Sequence, residues 1–578
     1  MNNNRGADRT RAGDKNPIVR WWVSFARSAS AIVMVTSILL VSACGQEVDD
    51  LASASERLAE LSKSTIKPDF NENQYRANIN LRQSSLLTML PDLSEYPIVY
   101  GERDTADTEV VEIFTSSEKA GRGRDGFYIE LADAFNQKRF TIANGKQASI
   151  AIRKIASGLG AQFILANRYV PDAFSPSNEL WGKMLEANGI EVEMVSARTA
   201  PNAAGVVVKK SRIDDITSND KLDLQKLLTN VSNGSFAMGY TNPYQSSTGL
   251  NFLLTILNSF ANGEENEMLS PEVASAFEAF QAGVPFVAQT TLQMRDAAQG
   301  SGVLDAMVME HQSWVNIKNM NEYEFIPFGI RHDSPLYATP EANESEREVL
   351  KLFAEFSEQQ QRAVENFGFG KNPNYTNSYQ LDDATIIGSA QKLWKQKKSG
   401  GRPIAAIFVA DVSGSMEGSR IENLKRALIE SADLISPINS IGLVSYHDLV
   451  NVDLLVRPFN VQQKALFTGA VERLSPGGKT ATNDAVVVAA NLLLEYKKEN
   501  PDHKTIIFVL SDGITNRGLE FKEVQKALEF SGIPIHAIAY EISSEHLKFL
   551  ASLGEGAYIE SSSGSASYRI GNLLNSEM

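Results

Sequence analysis

The stretch IAAIFVADVSGSM, residues 404–416, passes from seven consecutive apolar residues into an acid, two serines and a glycine. An unbroken apolar run of that length predicts a strand buried on both faces, as in a parallel sheet flanked by helices. The helical pattern RIENLKRALIESADLI follows at 420–435, and the runs IGLVSY (441–446), TIIFVLS (505–511) and IPIHAIAY (533–540) repeat the alternation. The reading is an α/β unit over 403–575 with a Rossmann-like, doubly wound parallel sheet. Sheets of this kind bind ligands at the carboxyl ends of their strands.

Oxygen donors gather at those ends. Asp411-Val412-Ser413-Gly414-Ser415 closes the first strand, Gly477-Gly478-Lys479-Thr480 precedes a helix, and Ser511-Asp512-Gly513 closes TIIFVLS. Carboxylates and hydroxyls select hard divalent cations such as Mg²⁺, and the lack of histidine or cysteine beside them disfavours zinc. Asp, Ser and Gly also build caps and turns, so Asp-x-Ser-Gly-Ser alone says little. The weight lies in three such loops, in order, each at a predicted strand end or helix start.

Together the three loops resemble the metal ion-dependent adhesion site of the von Willebrand factor A family, D-x-S-x-S followed by a threonine loop and a later aspartate. The resemblance covers about residues 402–575. It implies that Ser413, Ser415 and Thr480 ligate a divalent cation through hydroxyls, and that Asp411 and Asp512 hold it directly or through water. The ion would be Mg²⁺, or alternatively Mn²⁺ or Ca²⁺. In that family one coordination position is left for a carboxylate of a protein partner. Here Lys479 lengthens the usual GGT to GGKT and sets an extra cation beside the site.

The other end of the chain reads as an export signal. Residues 1–43 carry six basic groups against Asp8 and Asp14, a net +4 in a chain of formal charge −15. The apolar run SASAIVMVTSILLV (28–41) is shorter than the ~20 residues of a spanning helix and matches a signal-peptide core. It ends at Val41-Ser42-Ala43-Cys44, which resembles a bacterial lipobox and implies cleavage before Cys44 and lipidation of its thiol. The alternative is an uncleaved anchor with Trp21 and Trp22 at the interface. Either way the chain is expected at the cell membrane on its extracytoplasmic side, periplasmic or cell-surface. As Cys44 is the sole cysteine, no intramolecular disulfide can form.

Residues 44–94 read as a polar tether that contributes to no core. Over 95–370 the strand-like runs EVVEIFT, QFILA, GVVV, FAMGY, DAMVM and YEFIPF alternate with helical stretches, predicting parallel α/β units. The segments EIFTSSEKA (112–120), PDAFSPSNELW (171–181), GYTNPYQSSTGLNFLLTIL (239–257) and EFSEQQQRAVENFGF (355–369) resemble the type 2 periplasmic solute-binding proteins, which implies two lobes around a cleft. Ser116 and Ser117 follow a strand, and Ser246, Ser247 and Thr248 open a helical pattern. Hydroxyls and free N–H groups at helix starts suit an anionic solute, with plain N-capping as the alternative. Arg295 and Glu310 could line the cleft but read rather as a solvated face, and 371–402 reads as a linker marked by SGGRP at 399–403.

Several look-alikes fail. GxGxxG at 121–126 is separated from its strand by four residues and reads as an exposed charged loop. Gly478-Lys479-Thr480 is no P-loop, because Arg473 stands where the first glycine belongs. The six histidines show no metal-ligand spacing, and G-x-S-x-G is absent. No catalytic residue is assigned and no enzyme is expected. The acidic balance, with a pI near 5.1, argues against a nucleic-acid surface. The expectation is a membrane-anchored binding protein whose last domain grips a protein partner through a cation, beside a solute-binding-like domain. The alternative is the solute-binding component of an ABC-type transport system, with the last domain as an accessory.

Overall fold

The computed structural model describes residues 48–79, 86–101, 107–300, 304–360, 364–370, 375–513, 515–554, 556–562 and 565–577. The export signal over 1–43 and the lipidation site Cys44 lie outside the described residues. Among the described residues no helix is long and apolar enough to cross a membrane.

The C-terminal sheet has six strands in the order Val450–Pro458, Ser440–Tyr446, Ile404–Asp411, Lys504–Ser511, Ile535–Tyr540 and Tyr558–Ser561. All pair in parallel except the edge strand Val450–Pro458. Counted along the chain this order is 3-2-1-4-5-6, the doubly wound pattern. Every residue of Ile404–Asp411 is buried, because both faces are covered. Ile404, Ala406, Phe408 and Ala410 pack with the helices Ser419–Ala432 and Ala566–Glu577. Ala405, Ile407 and Val409 pack on the other side with Thr482–Glu499. A period of two in a wholly apolar run thus feeds two separate cores.

The tether expectation is overturned among the described residues. The helix Leu51–Glu60 begins at Asp50, whose carboxylate accepts the Ser53 N–H at 2.8 Å, and it buries Ala54 and Leu58. Leu58 and Leu61 join the core beneath Thr482–Glu499. Asp69 then bridges to Asn451, and the Asn73 N–H reaches the Asp453 carbonyl at 2.9 Å. Residues 69–73 thereby cover an edge strand that would otherwise present unpaired backbone. The sequence concealed this because the helix buries only a narrow stripe in a polar segment.

Burial pushes the Asp453 carboxyl from 3.8 up to about 6, although the Ser445 N–H donates to it at 2.8 Å. The shift is upward, so the stabilising contribution is complete below about pH 4 and lost as pH rises through about 6. Asp453→Asn should therefore flatten a decline of about 2–3 kcal/mol across that window. Urea denaturation of both proteins from pH 4 to 7 would reveal it, and parallel curves would refute the assignment.

Residues 95–370 form two lobes. The first sheet runs in the order Ile98–Tyr100, Gln147–Lys154, Thr108–Thr115, Ala173–Ser175, Leu336–Ala338, Glu193–Ser196; the second runs Phe286–Ala288, Met238–Thr241, Ala306–Glu310, Ala203–Lys209, Tyr323–Arg331. Among the described residues of 95–370 the chain crosses between them over 197–202 and 332–335. Both sheets are mixed: in the first, Ile98–Tyr100 and Leu336–Ala338 pair antiparallel with their neighbours and the remaining pairs are parallel, and in the second Ala203–Lys209 pairs antiparallel with both of its neighbours and the remaining pairs are parallel. QFILA, expected as a strand, lies mostly in the buried helix Ser157–Leu165, because a short apolar run cannot distinguish the two buried states. The presumed linker also differs: the helix Ile386–Lys397 buries Ile387, Ala390 and Trp394 in the core of the two-lobed domain. The Trp394 indole N–H donates to the Tyr240 hydroxyl at 2.7 Å.

Candidate metal-ion site and solute cleft

Ile404–Asp411 and Lys504–Ser511 run parallel and in register, so Asp411 and Ser511-Asp512 emerge together at one sheet edge. Asp411 is fully buried. Its Oδ1 accepts the Ser413 N–H at 2.8 Å, and its Oδ2 accepts the Ser511 hydroxyl at 2.6 Å and the Tyr446 hydroxyl at 3.3 Å. Ser413 and Ser415 bring their Oγ atoms to 3.0 Å from each other. The threonine loop is tied on by Gly477 N–H to the Val412 carbonyl at 2.8 Å and Gly414 N–H to the Gly478 carbonyl at 3.1 Å. Gly478 sits at φ +71°, where an added Cβ would stand 2.2 Å from Asp448 Oδ2. Only glycine serves there.

Thr480 is buried, and its N–H donates to Asn516 Oδ1 at 2.9 Å. Lys479 is exposed, with its N–H on Asp448 Oδ2 at 3.1 Å. Arg420 reaches the buried Asp512 at 3.4 Å, the Ser415 carbonyl at 3.1 Å and Glu541 at 2.9 Å. The five residues expected from sequence therefore lie on three loops meeting at this edge. Tyr446 and Arg420 lay outside the sequence expectation, and Ser511, expected only as an oxygen at its strand end, holds Asp411. Ser511 and Tyr446 had a signal, being polar termini of apolar strands; Arg420 had none, because its role depends on how the next helix packs.

The donor set suits a hard dication: two carboxylates and three hydroxyls, with no imidazole or thiol. Among the described residues no group of three or more His, Cys, Asp or Glu side chains is arranged to hold a metal, so hydroxyls are essential to such a site. Burial pushes the Asp411 carboxyl above its ordinary range, hydrogen bonds from Ser413 and Ser511 oppose this, and the neighbouring Asp512 adds to it. Two acids near each other in a dry setting favour a counter-cation, and Arg420 supplies part of that charge at 3.4 Å from Asp512.

In the two-lobed domain, Ser116 and Ser117 of the first lobe face Ser246 and Ser247 of the second across a cleft also lined by Ser157 and Thr291, with about 20 Å³ of open space. That is room for one water. Ser246 caps the helix Ser247–Phe260, and the Ser247 hydroxyl accepts the Trp181 indole N–H at 2.8 Å. Thr248 does not line the cleft; its hydroxyl is buried without a hydrogen-bond partner. Among the described residues the lining contains Glu118 and no lysine or arginine. Lys119 turns away to the Ser175 and Pro176 carbonyls, at 2.8 and 3.1 Å. A solute there would meet hydroxyls and the Glu118 carboxyl, which burial and the neighbouring Glu310 push above its ordinary range.

Two further expectations change. Glu310 is buried rather than solvated, accepting from Asn202 at 2.8 Å and lying 2.8 Å from His332 Nδ1. Arg295 holds Asp125 through contacts of 3.1 Å, joining the lobes. The charged 121–126 loop is thus a lobe-to-lobe contact rather than a free loop.

Residues 406–514 match the family model of the von Willebrand factor type A domain. Inter-alpha-trypsin inhibitor heavy chain H3 of Bos taurus is 32% identical over 123 residues, 20% of this chain and 14% of that protein. The chain thus matches about a seventh of the length of such curated relatives. Among solved structures, a von Willebrand factor type A protein from Catenulispora acidiphila is similar over 30% of this chain and 42% of that one, with a TM-score of 0.28 and 16% identity. A periplasmic thiamin binding protein is similar over 52% of this chain and 99% of that one, with a TM-score of 0.37 and 11% identity.

Proposed function

We propose, from a von Willebrand factor type A domain at residues 406–514, that this chain is an extracytoplasmic binding protein held at the membrane by a lipidated Cys44, and that its C-terminal domain grips a protein partner through a divalent cation. Asp411, Ser413, Ser415, Thr480 and Asp512 would hold the ion, Mg²⁺ or alternatively Mn²⁺ or Ca²⁺. The observation that carries this reading is the meeting of two acids and three hydroxyls from three loops at one sheet edge. When bound, the ion supplies a positive centre for a carboxylate of the partner.

The chain's own residues shape the rest of the contact. Leu449, 61% exposed, tops the hairpin whose Asp448 steadies the Gly478–Lys479 backbone. Lys479 and Arg517 are exposed beside it. An apolar tip beside Lys479 and beside Arg517, which pairs with Asp448 at 3.5 Å, fits an acidic protein surface, steering it in and then excluding water. The two-lobed domain takes a small polar solute, since the cleft is lined by hydroxyls and by the Glu118 carboxyl, which burial and the neighbouring Glu310 push above its ordinary range.

Capture from a membrane extract with immobilised full-length protein tests the reading. A partner should be retained in Mg²⁺, released by EDTA, and absent with Thr480→Ala. The same proteins in all three lanes would overturn it.

A further inference from the structure

One side chain belongs to both domains. In the C-terminal helix Ala566–Glu577, Ile570, Leu573 and Leu574 pack into the C-terminal core with Leu424 and Leu428 of Ser419–Ala432. Tyr568, on the other side of the same helix, is 3% exposed and packs into the core of the two-lobed domain. Its hydroxyl donates to Gln162 Oε1 at 2.9 Å and accepts from Gln245 Nε2 at 2.8 Å. Gln162 lies on Ser157–Leu165 of the first lobe. Gln245 precedes Ser247–Phe260 of the second lobe and lines the cleft. One turn further along, Asn572 donates to Gln289 of the second lobe at 3.3 Å.

The lobes also touch directly where this helix sits. The Gly158 N–H donates to the Gln245 carbonyl at 3.1 Å, and the Gln162 amide to the Tyr244 carbonyl at 3.3 Å. Opening about the crossings at 197–202 and 332–335 would pull Gln162 away from Gln245. The phenol has one hydrogen to donate and lone pairs to accept with, and it is satisfied from both sides only while the two amides stay together. Separating them leaves a buried polar group unpaired, which is costly.

We infer that the mouth of the cleft is a docking surface for the chain's own C-terminal helix, and that Tyr568 latches the two lobes shut. A small polar solute then enters only when the C-terminal helix releases one lobe. This goes beyond the metal-site reading and stands whether or not a cation binds.

Hydrogen exchange on the full chain tests it with two variants. Tyr568→Phe keeps the ring and removes the hydroxyl; Gln162→Leu removes the first-lobe partner. Amides over 157–166 and 244–250 should exchange about fivefold to tenfold faster in both variants, with 404–411 and 504–511 unchanged. Unaltered exchange over 157–166 and 244–250 would overturn the latch. So would equal acceleration across the C-terminal strands, which reports loosening of that domain rather than release of the cleft.

Discussion

Replacing Asp411 by alanine should abolish the stabilisation of the C-terminal domain that the proposed site would draw from Mg²⁺. An ion that binds the folded state alone stabilises it by about 2.7 kcal/mol at a hundredfold excess over Kd, which corresponds to roughly 5–10 °C for a domain of this size. Asp411 is the hub of the edge, accepting from Ser413, Ser511 and Tyr446, so its loss removes a charge and frees the loop that carries Ser413 and Ser415. Without metal the variant also leaves the Ser511 hydroxyl and Ser413 N–H without their acceptor, costing about 1–3 kcal/mol. Asp411→Asn separates the two effects, since it preserves the shape but not the charge. Calorimetric melting of the full chain over a Mg²⁺ series, with EDTA as reference, is the measurement. The same metal-dependent rise in Asp411→Ala as in the parent would end the proposal.

Replacing Leu58 by alanine lowers the stability of the C-terminal domain by about 3 kcal/mol. Leu58 is fully buried beside Leu61, Val524 and Leu528, so truncating it opens a cavity against side chains that the sheet holds in place. A residue of a solvated tether would change stability by less than about 0.5 kcal/mol. Urea denaturation followed by near-ultraviolet signals decides between these values. The same substitution should leave the two-lobed domain's transition in place, because Leu58 packs wholly with the C-terminal core.

The legible parts of the molecule were those where one local rule dominates. Residues 404–410 read as an interior strand because seven apolar side chains in succession need cover on both faces and a polar turn and a helical pattern follow directly. Polar residues ending such strands mark a functional edge, which brought Asp411, Ser413, Ser415, Thr480 and Asp512 into view. The illegible parts were contacts between distant segments. Asp125 and Arg295 stand 170 positions apart and form an ion pair across the cleft, and nothing local to either announces the other. The helix Leu51–Glu60 reads as polar because two of its ten residues are buried.

By itself, then, the sequence determined the alternating α/β class, the doubly wound C-terminal sheet and the oxygen-bearing loops, since hydrophobic periodicity and turn chemistry act over a few neighbouring residues. Only the tertiary structure decided that residues 48–79 complete the C-terminal domain, that the described lining of the cleft is closed and holds no lysine or arginine, and that Tyr568 joins the two lobes. Those outcomes depend on which surfaces find each other once the elements exist, and burial and hydrogen-bond satisfaction are properties of the assembled whole.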